Sequence, residues 1–109
     1  MRTLALCVAI VAALAAGGEA QQKGNAGTTH TVLISGTAFK PATLTVKVGD
    51  RVEWKNDDPF AHTVTSSAGH FDSKEIAAGE TWSYRATQKG QFPYICTLHR
   101  TMRGTLVVQ

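Results

Sequence analysis

The stretch that most constrains this chain is Cys96-Thr97-Leu98-His99-Arg100-Thr101-Met102. It places a thiol, an imidazole and a thioether at even three-residue spacing between two strand-like runs, Gly90 to Ile95 and Gly104 to Val108. A Cys at a strand end followed by a tight loop can turn two sulfurs and a ring nitrogen toward one point. Thiolate with thioether is a soft donor set. It selects copper over Mg or Ca, and thioether suits Zn poorly. Two His, one Cys and a weak axial Met would complete such a site, so one more His is needed. Each of the three residues has an ordinary alternative: Cys96 as a small buried hydrophobe, His99 as a surface polar residue, Met102 as a core filler. Their even spacing in one loop favours the metal reading.

His62 is the expected fourth donor. It shares parity with Val64 and therefore points toward the core. His70 lies in a Gly-flanked loop and is expected in solvent. His30, at the edge of the first strand, is expected to be exposed. Asn56 ends a strand before the His62 loop and is expected to tie two loops through its side chain, near enough to the site to influence it. Phe60 and Leu98 could form an apolar rim around His99, and Arg100 and Arg103 could steer an acidic partner.

The 109 residues suffice for one domain. Residues 1–20 read as a secretory signal peptide, with Arg2 at the start, an apolar run from Leu4 to Ala16, and small residues around Gly18-Glu19-Ala20. The apolar run is too short to span a bilayer comfortably. Residues 21–29 read as a flexible leader and 30–109 as the copper-binding domain. The expected location is the periplasm. Cleavage would leave Cys96 as the one cysteine, unable to form an internal disulfide, and metal ligation would protect it in an oxidising compartment. Lys and Arg total 11 against 8 for Asp and Glu. The chain has no basic run and no aromatics interleaved with basics, which argues against nucleic acid as a partner.

Short alternating runs dominate the remainder. Thr31 to Ser35 opens with Val32 and Ile34 on one face. Leu44, Val46 and Val48 lead through Gly49-Asp50 into Val52 and Trp54, which reads as a hairpin. Phe71 to Ile76 is ambiguous. Trp82 and Tyr84 share one face of a further strand, as do Phe92, Tyr94 and Cys96. Seven or eight strands and no helical period predict an all-β Greek-key sandwich.

These motifs resemble the cupredoxins, the small blue copper proteins, and within them the amicyanin and plastocyanin-like group. The resemblance runs through Phe39-Lys40-Pro41, Leu44 to Asn56, His62, Phe71-Asp72-Ser73, Gly79-Glu80, Gly90, and the short Cys96 to Gly104 loop. It implies His62, Cys96 and His99 as equatorial ligands of one type 1 copper, Met102 as the axial ligand, and Asn56 as the family's loop-tying Asn. Ala61 and Thr63 depart from the Pro and Asn that often flank the first His. The implied role is a monomeric one-electron carrier and not an enzyme, with an amine dehydrogenase as donor and a c-type cytochrome as acceptor. The alternative is a periplasmic copper chaperone or storage protein, although the chain carries no Met-rich or His-rich tract.

Overall fold

The computed structural model describes residues 27–109. The expected signal peptide and most of the leader lie outside the described residues. Eight strands form two four-stranded sheets, and the described residues contain no helix. The first sheet contains β1 (Thr29–Ile34), β2 (Phe39–Lys40), β4 (Arg51–Asn56) and β6 (Thr81–Arg85), in the order β2-β1-β4-β6. The second contains β3 (Thr43–Val46), β5 (Thr65–Ser66), β7 (Gly90–Cys96) and β8 (His99–Val108), in the order β3-β8-β7-β5. This is the expected all-β sandwich.

Alternation builds both inner faces. Val32 and Ile34 of β1 are buried, as are Val52, Trp54 and Asn56 of β4 beside them. The two strands run parallel, Val32 against Trp54 and Ile34 against Asn56. From the other sheet, Phe92, Tyr94 and Cys96 of β7 and Met102, Leu106 and Val108 of β8 face them. Trp54 and Tyr94 lock the layers. Their rings meet edge to face at 5.6 Å, and Trp54 Nε1–H donates to the Tyr94 hydroxyl at 3.2 Å. Burial pushes the Tyr94 phenol up to about 12, so it stays protonated. Gly104 leaves room for that ring, because a Cβ there would collide with Tyr94 Cζ and the hydroxyl.

Two sequence expectations need correction. Gly49-Asp50 does not close a hairpin, because β3 and β4 belong to different sheets. β3 pairs in parallel with β8, and β4 pairs with β1 and β6. Gly49, at φ +100°, lets the chain cross the sandwich, and Asp50 fixes the crossing. The Asp50 carboxylate accepts the N–H groups of Thr28 at 2.9 Å and Lys47 at 3.0 Å, with His30 Nε2 at 2.9 Å. His30 is therefore half-buried and paired, not exposed. In the second correction, the stretch after Cys96 is largely strand. β8 begins at His99, and only Thr97 and Leu98 connect it to β7. The polar residues His99, Arg100, Thr101 and Arg103 disguise a ten-residue strand.

The Thr28 N–H, followed by the Lys47 N–H and His30, holds the Asp50 carboxyl at about 2, against an ordinary value of 3.8. A carboxyl with a depressed folded pKa stabilises the fold above its unfolded pKa and loses that contribution as pH falls through the folded one. The Asp50 contribution is thus complete above about pH 4 and fades toward pH 2. Urea midpoints of the native chain and Asp50→Asn, compared from pH 5 to pH 2, should differ most at pH 5 and converge toward pH 2. Parallel curves would contradict this role.

Candidate metal centre

One end of the sandwich gathers the donors. Cys96 is the last residue of β7 and His99 the first of β8, and they pair across the two-residue connection. A register irregularity between Ile95 and Cys96 re-aims the strand at that point. Met102 follows in β8 and is buried. His62 comes from the opposite side, in the loop between β4 and β5. It is held by a reciprocal backbone pair with Ile76: its N–H donates to Ile76 O at 3.2 Å, and the Ile76 N–H donates to His62 O at 2.8 Å. Phe71 to Ile76 thus forms isolated bridges and not a strand.

His62 Nδ1 lies 3.6 Å from Cys96 Sγ, and His99 Nδ1 lies 4.0 Å from it. The donor atoms of His62, Cys96 and His99 all fall within 4.8 Å of one another. Cys96 and His62 have no exposed surface, whereas His99 is half-buried. The two imidazole rings are 4.9 Å apart. His62 Nε2 faces the carboxylate of Asp58 at 2.7 Å. A carboxylate can only accept, so the ring proton sits on Nε2 and the Nδ1 lone pair is free toward Cys96. A cysteine sulfur and two imidazoles converging in a largely buried pocket suit a soft or borderline metal, and the buried thioether of Met102 in the same hairpin favours copper.

The surroundings hold this set in place. The Thr63 N–H donates to Cys96 Sγ at 3.3 Å. The Thr63 hydroxyl accepts the Thr97 N–H at 2.9 Å and lies 3.0 Å from the Thr65 hydroxyl, binding the His62 loop to the Cys96 hairpin. Asn56, fully buried, donates through Nδ2 to Phe60 O and Ile76 O, both at 2.9 Å, and accepts the Asp58 N–H at 3.0 Å. Asn56 thus ties the His62 loop to the Ile76 crossover, and none of these bonds reaches the sulfur. His70 is exposed, packed on the Phe92 ring, and is not one of the clustered donors. Phe60 and Leu98 are 45% and 47% exposed, and the Phe60 ring lies 5.5 Å from that of His99. Arg100 and Arg103 of β8 are exposed.

Sequence reasoning overlooked Asp58 and treated Thr63 only as a departure. A carboxylate four residues before a ligand-type His was the available signal for Asp58.

This fold and donor set define a small β-sandwich protein built around a single copper. The chain belongs to the cupredoxin family: the model of the cupredoxin-like domain matches residues 5–108, and the cofactor is one type 1 copper. The chain is 34% identical to amicyanin-alpha of Methylorubrum extorquens over 120 residues, covering all of both chains. It is 33% identical to amicyanin of Paracoccus denitrificans over 76 residues, covering 65% of this chain and 58% of that one. A reduced Cu(I) amicyanin variant at pH 4 superposes with a TM-score of 0.68 at 30% identity, covering 74% of this chain and 82% of that chain. A copper-containing nitrite reductase from Thermus scotoductus superposes at 0.70 with 28% identity, covering 74% of this chain but 22% of the reductase.

Proposed function

We propose that this protein carries single electrons between redox partners outside the cytoplasm and is not itself an enzyme. The observation that carries this reading is the asymmetry of the two imidazoles: His62 is sealed in the interior, while His99 is half-buried beside the exposed Phe60 and follows the exposed Leu98 in the chain. In this reading Cys96, His62, His99 and Met102 would hold the copper. Copper supplies a one-electron Cu(II)/Cu(I) couple when bound. The protein holds the donors in a rigid frame, with Thr63 orienting the Cys96 sulfur and Asn56 bracing the His62 loop. Burying Cys96 and His62 protects the sulfur from oxidation. His99 is the donor nearest the surface, where a partner can approach through the apolar rim. Arg100 and Arg103 favour an acidic partner and would act mainly on encounter rate.

The resemblance to amicyanins supports an amine dehydrogenase as donor, a c-type cytochrome as acceptor, and a monomeric carrier. The reading of residues 1–20 as a signal peptide supports export to the periplasm. The test is the visible spectrum of the purified protein with Cu(II), before and after ascorbate. We expect an intense blue colour that bleaches on reduction, as a thiolate-bound copper requires. A pale complex, or copper surrendered readily to an apo-protein acceptor, would replace the carrier reading with that of a chaperone or store.

A further inference from the structure

Asp58 sits in the turn Asn56-Asp57-Asp58-Pro59 and is only 7% exposed. A buried carboxylate needs partners, since unpaired burial is costly. Asp58 has four. Its Oδ1 accepts the Gly36 N–H at 2.7 Å, and its Oδ2 accepts the Thr37 N–H at 2.9 Å and lies 2.7 Å from His62 Nε2. Its own N–H is taken by Asn56 Oδ1 at 3.0 Å. Gly36 and Thr37 both have positive φ, +63° and +55°, which turns two successive N–H groups toward the carboxylate as an anion-binding nest. No Lys or Arg pairs with Asp58 among the described residues, and its one ion-pair partner is His62. Two backbone N–H groups and the His62 ring all point at the Asp58 oxygens, an arrangement built for an anion, and that charge bears on the far side of the ring that faces Cys96.

We propose that Asp58 is a positioning residue for the metal centre: its carboxylate fixes the His62 tautomer and ring plane, makes His62 a stronger donor, and so favours Cu(II) over Cu(I) and lowers the reduction potential. The physical basis is general. A metal-bound imidazole whose other nitrogen donates to a carboxylate gains basicity and a fixed orientation. A stronger, more anionic donor favours the higher metal charge. Neutral partners, such as a backbone carbonyl, would orient the ring without adding this field. The proposal rests on the electron-carrier reading and adds what sets the potential of that site.

The experiment uses the copper-loaded full protein and its Asp58→Asn and Asp58→Glu variants. Asn can still accept from His62 Nε2 but carries no charge. The readouts are the visible spectrum, the Cu(II)/Cu(I) midpoint potential and the thermal midpoint. We expect Asp58→Asn to stay blue while its potential rises by a tenfold or greater change in Cu(II)-over-Cu(I) preference, which is 59 mV for a one-electron couple. Asp58→Glu should return part of that shift. A blue Asp58→Asn protein with unchanged potential overturns the proposal even if its thermal midpoint falls, because Asp58 would then only anchor the loop. Should Asp58→Asn fail to fold, nitrogen NMR of the Cu(I) wild type decides. A His62 ring proton on Nε2 and slow to exchange with water supports the proposal, and one on Nδ1 or in rapid exchange overturns it. A wild type that is not blue overturns the carrier reading and this proposal with it, whereas a blue wild type with an insensitive Asp58→Asn overturns this proposal alone.

Discussion

Cys96→Ser should abolish the blue colour completely while leaving the fold in place. The intense absorption of such a centre belongs to the thiolate–copper bond, and a hydroxyl neither ionises at neutral pH nor donates as a soft ligand. Copper affinity should fall by more than about 100-fold, the upper end of what losing an outer partner of a ligand costs. The fold should survive because the Ser hydroxyl enters a site that already has a donor: the Thr63 N–H, now 3.3 Å from the sulfur, can serve an oxygen instead. The penalty for burying that hydroxyl is then about 1 kcal/mol and not that of an orphaned polar group. Circular dichroism and thermal unfolding of the apo forms should therefore nearly coincide, and the copper-loaded spectra should differ entirely. A blue Cys96→Ser protein would remove Cys96 from the metal and with it the mechanism proposed above.

Cys96 and His99 were legible as a cluster because they lie close in sequence and pair across the turn of one hairpin. Met102 follows in the same hairpin and is buried there. His62 was legible through its parity with Val64, although the alternation breaks down there, since Thr63 is buried as well. The part Thr63 plays was not legible because it is carried by its backbone N–H and by a hydroxyl that meets Thr97, neither of which has a pattern in sequence. Asp58 was hidden for a related reason. Asn-Asp-Asp-Pro is ordinary turn composition, and although His62 lies only four residues on, the two N–H groups that hold the Asp58 carboxylate, at Gly36 and Thr37, arrive only when the β1–β2 turn folds onto the site loop. The Gly49-Asp50 misreading has the opposite origin. That dipeptide is a strong local hairpin signal, but Asp50 spends its carboxylate on Thr28, Lys47 and His30, and that links two sheets instead of two neighbouring strands.

Asn56→Ala should be the most destabilising change near the site that touches no metal ligand. Asn56 is fully buried and joins three backbone groups, Phe60 O, Ile76 O and the Asp58 N–H. Alanine removes one acceptor and both donated bonds, and the small cavity left behind supplies no replacement. Stranding a buried partner costs about 1–3 kcal/mol. Phe60 is exposed enough for its carbonyl to recruit water, so the main losses are at Ile76 O and the Asp58 N–H, and the total should be about 3 kcal/mol. For a domain of this size that corresponds to a fall in thermal midpoint of roughly 12–24 °C, at about 4–8 °C per kcal/mol. The effect should also reach the metal, because the bonds at risk hold the loop that carries Asp58 and His62. Copper-loaded Asn56→Ala, if folded at low temperature, should stay blue, since Cys96, His99 and Met102 lie in the separate β7–β8 hairpin, but it should release copper faster than the native protein. A midpoint within about 4 °C of native, the effect of a single kcal/mol at most, would show that solvent or a neighbouring side chain satisfies these groups and that the His62 loop is braced by Thr63 and Asp58 without Asn56.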